Sequence, residues 1–412
     1  MTASGRIAAA VRTLRAHPVL SPTAVLEVWR ERRGGYRAEL DHRRHMDAAL
    51  AWLEVAQDAT SSGGFAWGYS LTWNPHFRTR GWHPAYPEVT GYIIPTLYLA
   101  AAHLGRPDLA QRADRAARWE IEVQLGSGAV RGGVMGEVEG PVAFNTGQAL
   151  LGWLSALEAG GDPTFADAAR RAGRYLVSTL DADGHWRSDD GAFSRPGLKL
   201  YNARTAWALA EAGRRLGEPA FTATAARALD AVARAQHPNG WFPYCSLDDP
   251  ERPLLHTLAY AIRGLLEGGR VLADDRLVAA AVRPAERLAE MVVARGGVAG
   301  RLNADWSPAV TWRCLTGEAQ MANNWMRLHA ITGESWWLEP VPAVLRALKS
   351  TQNLTSANPG VRGGIKGSWP IGGGYGAYCV LSWATKFFVD ALLRHERLRR
   401  STWAGGEALP LA

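Results

Sequence analysis

Glu88 stands in the string Tyr86-Pro87-Glu88 at the head of an apolar segment, so its carboxylate falls in the first turn of a helix. A carboxylate sheltered there can give or take a proton. His256-Thr257 followed by Tyr260 repeats the placement, with an imidazole and a phenol four residues apart on one helix face. Tyr201-Asn202-Ala203-Arg204 adds another phenol and a guanidinium in a first turn. A cation gains nothing from the helix dipole at that end, so Arg204 calls for an anionic partner, either Glu88 across a cavity or a substrate carboxylate. Glu88, His256, Tyr260 and Tyr201 are the catalytic candidates. Each also has a plain structural reading: Pro and Glu in a first turn mark a helix start, and a single histidine can serve as a hydrogen-bonded core residue.

Around them lie groups suited to holding a sugar. Between Phe65 and Glu88 the chain carries Trp67, Tyr69, Trp73, His76, Phe77, Trp82, His83 and Tyr86. Aromatic rings cover the C–H faces of sugars while the hydroxyls bond outward, although such rings could equally plug a mouth. The substrate-binding expectations are Arg204, Tyr86, Tyr92, Asn145, Gln148, Trp241, Lys366, Tyr375, Trp383 and Trp82, with Arg204, Lys366 and His256 holding an acidic group. Asn145-Thr146-Gly147-Gln148 also has capping-box spacing. A glycosidase needs two carboxylates, and the further loop carboxylates are Asp189, Asp190, Asp248, Asp249, Glu251 and Asp305.

No cofactor or metal is expected. Gly372-Gly373-Gly374 lacks the Lys-Ser/Thr of a phosphate loop. The three cysteines, Cys245, Cys314 and Cys379, form no zinc pair; only His256, from the preceding repeat, could approach Cys314.

The elements that must position these groups recur. A charged, Ala-rich helix ends near Gln, a Gly turn with an apolar residue follows, then a polar aromatic loop, then a more apolar helix. Gln57 to Gly63-Gly64-Phe65, Gln124 to Gly132-Gly133-Val134, Asp183-Gly184-His185-Trp186, Gln236 to Asn239-Gly240-Trp241-Phe242, Gly296-Gly297-Val298, and Gln352 to Gly363-Gly364-Ile365 mark six copies. Second helices start near Pro87, Asn145, Asn202, His256, Leu315 and Cys379, at intervals of 58, 57, 54, 59 and 64 residues. A hairpin of two helices cannot bury both faces alone, so neighbours stack. The spacing predicts an all-α (α/α)6 toroid over 38–398, outer helix before inner, with a helical arm at 1–37 and a tail at 399–412.

Composition fits this reading. In 412 residues, 47% are hydrophobic and 21% charged. The net charge of +7 is dispersed among acidic residues rather than gathered in runs, which argues against nucleic acid. No stretch has signal-peptide or membrane-spanning character, so the expectation is a soluble, cytoplasmic protein without membrane insertion. Oligomeric state is left open.

The hairpin repeat and its Gln-to-Gly-Trp turns resemble the α/α-toroid superfamily of terpenoid cyclases, protein prenyltransferase β subunits and six-hairpin carbohydrate enzymes. Tyr86-Pro87-Glu88-Val89-Thr90-Gly91-Tyr92-Ile93-Ile94-Pro95, Phe144-Asn145-Thr146-Gly147-Gln148, His256-Thr257-Leu258-Ala259-Tyr260, Cys314-Leu315-Thr316-Gly317 and Trp383-Ala384-Thr385-Lys386-Phe387-Phe388 resemble a largely uncharacterised bacterial family linked with polysaccharide biosynthesis, over about Leu40 to Leu393. The resemblance implies a glycan context and, more distantly, glucuronyl C5-epimerases. Terpenoid chemistry lacks its motifs: Asp181-Ala182-Asp183-Gly184 ends wrongly for a cyclase acid, and Asp248-Asp249-Pro250-Glu251-Arg252 is broken by proline. The leading expectation is an enzyme acting on an acidic, uronate-containing glycan by lyase- or C5-epimerase-type proton abstraction or by hydrolysis. A prenyl-diphosphate enzyme and a noncatalytic glycan-binding protein are the alternatives.

Overall fold

The computed structural model describes residues 17, 20–36, 38, 41–137, 140–188 and 193–399. Asp189 and Asp190, most of the arm before His17 and the tail after Arg399 lie outside the described residues.

The chain is an all-α toroid. After the arm helix α1 (Pro22–Arg32) come six hairpins: α2 (His42–Asp58) with α3 (Pro87–Leu104), α4 (Pro107–Glu122) with α5 (Ala143–Gly160), α6 (Pro163–Thr179) with α7 (Ala203–Leu216), α8 (Pro219–Arg234) with α9 (Leu255–Leu272), α10 (Asp275–Arg295) with α11 (Leu315–Thr332), and α12 (Val341–Thr351) with α13 (Ser382–Arg399). The second helices pack in sequence, α3 on α5, then α7, α9, α11 and α13, and α13 returns to α3. The ring therefore closes on itself.

Burial explains the two layers. On α4 only the stripe Leu109, Ala113, Ala116, Ala117 and Glu120 with Trp119 is buried, the spacing of a helix with one wet face. On α5 every residue from Ala143 to Ala156 is buried. Glycines thin the contact: a Cβ on Gly91 of α3 would meet the backbone of Ala149 at 2.6 Å, and one on Gly264 of α9 would meet Ala203 at 2.2 Å.

The glutamine found in four of the six turns is a staple. Gln57 Nε2 donates to Gly63 O of its own turn (2.8 Å) and to Arg112 O of the next outer helix (3.1 Å). Gln124 reaches Gly128 O and Ala168 O, Gln236 reaches Gly240 O and Ala280 O, and Gln352 reaches Gly363 O and, closing the ring, His45 O. In the third copy Arg227 donates to Asp181 O instead. A second device fixes the mouth: Thr90, Thr146 and Thr385, in the first turns of inner helices, accept the backbone N–H of Phe65, Val130 and Ile365.

The aromatic stretch after Phe65 is more ordered than a loop. It forms a hairpin, β1 (Gly68–Asn74) and β2 (Thr79–Trp82), and β1 pairs with β7 (Cys379–Leu381) just before α13. Tyr, Thr and Trp suit a half-buried strand, and this small sheet locks the first and last repeats together at the mouth. Two-residue pairs β3 (Arg187–Ser188) with β4 (Gly197–Leu198) and β5 (Arg313–Cys314) with β6 (Ser368–Trp369) brace other loops. No helix among the described residues is long and apolar enough to cross a membrane.

Candidate active site

Inner-helix starts converge on one cavity of about 230 Å³, the scale of a single sugar ring. Glu88 on α3, Asn145 on α5, Tyr201 just before α7, His256 and Tyr260 on α9, and Trp383 on α13 all line it. Tyr86 and Tyr375 reach it from the preceding loops. Eight of the expected site residues thus meet in one place, although they come from five different repeats.

Glu88 is the only carboxylate among the described lining residues. The Tyr86 hydroxyl donates a short hydrogen bond to its Oε2. Burial raises its pKa from the ordinary 4.5 to about 7, while the Tyr86 hydrogen bond and the positive charge of Arg204 pull the other way and do not prevail. Near neutral pH this group exists in both protonation states, as a proton-transfer group should.

His256 behaves differently. Its Nδ1 lies 2.8 Å from Gln320 Oε1 on α11, so Nδ1–H donates to the amide oxygen and the neutral ring carries its lone pair on Nε2. Burial lowers its pKa to about 4; Gln320 opposes this, and Arg204 adds to it. His256 is a neutral acceptor at physiological pH. Its ring lies 4.5 Å from that of Tyr260 and 5.4 Å from that of Tyr375. Burial also pushes the Tyr86, Tyr201, Tyr260 and Tyr375 phenols up, so all four keep their protons as donors.

The walls are aromatic. Trp67 stands edge-on to Trp383 (5.0 Å) and faces Phe193 at 5.9 Å, Phe144 packs between Tyr201 and Tyr260, and Trp383 Nε1 donates to the Tyr375 hydroxyl at 2.9 Å. Such walls offer ring faces and edges to C–H groups and phenol, amide and hydroxyl donors to oxygens.

The fold is shared with glycan enzymes. A heparin-specific unsaturated glucuronyl hydrolase superposes with a TM-score of 0.66 at 15% identity, over 87% of this chain and 98% of that one. The unsaturated glucuronyl hydrolase of Bacillus sp. GL1 gives 0.64 at 15% identity, over 87% and 97%. Cellobiose 2-epimerase from Bacillus thermoamylovorans B4167 gives 0.62 at 11% identity, over 90% and 99%. No family model and no curated protein sequence matches the chain, and nothing supports the resemblance to a polysaccharide-biosynthesis family.

Six expected site residues lie elsewhere. Lys366 is sealed against the arm, its Nζ 2.8 Å from Glu27 and 2.9 Å from Glu31, because two buried carboxylates on α1 need a cation. Trp241 packs edge-on against Trp306, and Trp82 packs on Trp52 and Tyr69. Gln148, Arg204 and Tyr92 form a layer beneath the cavity rather than its wall: Arg204 Nε donates to Gln148 Oε1 at 2.7 Å and not to Glu88, and the Tyr92 ring packs on Phe387. Of the three groups expected to grip an acid, Arg204 and Lys366 are therefore not in the wall, and His256 is there as a neutral imidazole. Nor is the capping box formed. The N-cap of α5 is Val142, Asn145 donates to Arg131 O, and Gln148 donates to Phe144 O.

Sequence reasoning did not assign Trp67, Phe144, Phe193, Ser194 or Gln320 to the site. Trp67 stood in the aromatic stretch, but Phe193 and Gln320 had no local signal; only ring closure brings them in. Among the described residues no three His, Cys, Asp or Glu side chains gather to hold a metal. Burial pushes the Cys314 thiol up to about 12, and its sulfur meets backbone N–H groups of Gly317 and His256 rather than an imidazole.

Proposed function

We propose that the protein is a carbohydrate-active enzyme that moves a proton on a uronate-bearing sugar, with Glu88 as the proton-transfer group. The observation that carries this is a carboxyl poised near neutral pH inside an aromatic cavity of sugar size. Proton abstraction at C5 suits the geometry: Glu88 or the Nε2 lone pair of His256 removes the proton, and phenol and amide donors meet the charge that develops on the uronate carboxyl. Returning the proton to the other face gives the C5 epimer; expelling the group on C4 gives an unsaturated uronate. The cationic layer around Arg204 lends a favourable field without contact.

Hydrolysis is the second reading, favoured by the likeness to glucuronyl hydrolases. It requires a second carboxylate or a water-activating group, and Glu88 stands alone among the described lining residues. A prenyl-diphosphate enzyme finds no support in the described residues, among which no acidic cluster gathers.

Incubation with acidic oligosaccharides in deuterium oxide tests the proposal. Deuterium at C5, or absorbance from an unsaturated uronate, supports proton abstraction; new reducing ends with neither would shift the reading to hydrolysis. Turnover of a prenyl diphosphate, or binding of sugar with no product, would overturn it.

A further inference from the structure

Below the sugar-sized cavity the ring axis is filled with charge. Arg204, Arg263, Arg327, Arg394 and Lys386 are all at most 5% exposed, and the carboxylates among them are Glu267 and Asp390. Those two are occupied. Glu267 receives a two-point contact from Arg327 (2.6 and 2.8 Å) and lies 3.0 Å from Arg263, while Asp390 accepts from Thr96 (2.7 Å) and Lys386 (2.5 Å). Among the described residues, five buried cations thus share this layer with two carboxylates, where water cannot screen them.

Arg204 is the group left over. It is 3% exposed and has no carboxylate partner among the described residues; its one hydrogen bond goes through Nε to the neutral amide of Gln148. The rings of Trp207, Tyr260 and Phe387, at 5.2, 5.2 and 5.8 Å from Cζ, compensate part of its charge. Beside it lies a second, small cavity, about 10 Å³, lined by Arg204, Arg263, Gln320, Asn323, Asn324 and Asp390. That is room for one atom-sized particle. Of the acceptors around it, Asn323 Oδ1 is engaged by Arg394, Gln320 Oε1 by His256, and the Asp390 carboxylate by Thr96 and Lys386.

We infer that this cavity binds a single small monovalent anion, of halide size, held by the Arg204 guanidinium and the Gln320 amide. A carboxylate of a sugar is too large for it, and a neutral water would leave the charge uncompensated. The anion sits one residue from the chemistry, because Gln320 also holds Nδ1 of His256. The inference does not depend on which reaction Glu88 and His256 carry out.

Bromide supplies the direct test. Crystals of the full chain grown in sodium bromide should show an anomalous peak in this cavity beside Arg204. Thermal unfolding of the wild-type protein should be shifted upward by chloride and not by gluconate at equal ionic strength; for a site of about 1 mM affinity, 100 mM chloride moves the folding equilibrium about 100-fold. Arg204→Gln should abolish the chloride-specific part, and if that variant does not fold, the bromide map of the wild type decides. Equal melting in the two salts, a larger rise with sulfate than with chloride, or a cavity without a bromide peak would overturn the inference.

Discussion

Replacing Glu88 with Gln removes a charge that the fold holds at a cost, and the size of that cost follows from its surroundings. The pKa change from 4.5 to about 7, at about 1.4 kcal/mol per tenfold change in proton affinity, sets a ceiling of about 3 kcal/mol. The sign is fixed by which state binds the proton more tightly. The folded chain does, so the contribution of Glu88 to stability is complete below its unfolded value near 4.5 and is lost as pH rises through 7. Gln still offers an acceptor oxygen to the Tyr86 hydroxyl. The variant should therefore match the wild type near pH 4.5 and melt higher above pH 8, by roughly 4 °C for a chain of this length. Differential scanning calorimetry at pH 4.5, 6, 7 and 8.5 reads this. A difference that does not change with pH, or a variant less stable at pH 8.5, would refute the assignment of Glu88 as a carboxyl poised near neutrality.

Glu120 on α4 offers a related case without function: it is fully buried, both carboxylate oxygens lack partners, and burial holds its proton well above the usual range. Glu120→Met should stabilise the chain by about 1–3 kcal/mol in urea unfolding at pH 8, and a loss of stability would show an unseen partner. Ala273, which ends α9 at φ 54°, sits where Gly105, Gly161, Gly217 and Gly333 end other inner helices. Ala273→Gly should raise stability by about 1 kcal/mol, measured the same way. Lys366→Met leaves Glu27 and Glu31 buried without their cation and should cost about 3–5 kcal/mol, with hydrogen exchange quickening first in Pro22–Arg32 and sugar binding retained. Loss of sugar binding in a folded Lys366→Met would return that lysine to the site.

The toroid was legible because its repeat is written in residues that act locally and in the same way each time. Gln57, Gln124, Gln236 and Gln352 were visible as a recurring letter, and each bonds its own turn and the next outer helix. Inner-helix starts were legible to within about three residues, since apolar runs follow polar loops: α3 at Pro87 and α11 at Leu315 coincide with the expectation, and α13 begins at Ser382 because Cys379–Leu381 pair as a strand with Gly68–Ser70. What could not be read was the depth of a side chain along the axis. Arg204 and Glu88 both occupy first turns, yet the long guanidinium reaches down to Gln148 while the shorter carboxyl stays at the cavity. Lys366 was misplaced because its partners lie on α1, more than three hundred residues away in sequence, and no local pattern announces them. Trp82 and Trp241 show that an aromatic near a mouth can be consumed by packing on another aromatic.

A crystal structure of Glu88→Gln with an intact uronate oligosaccharide tests the central claim directly. If Glu88 moves a proton on a sugar, one sugar residue will lie between Trp67, Trp383 and Tyr260, with a reacting carbon or glycosidic oxygen within hydrogen-bond reach of residue 88 and the uronate carboxyl against phenol and amide donors. A sugar bound outside the cavity, or inside it with residue 88 touching none of it, would contradict the claim.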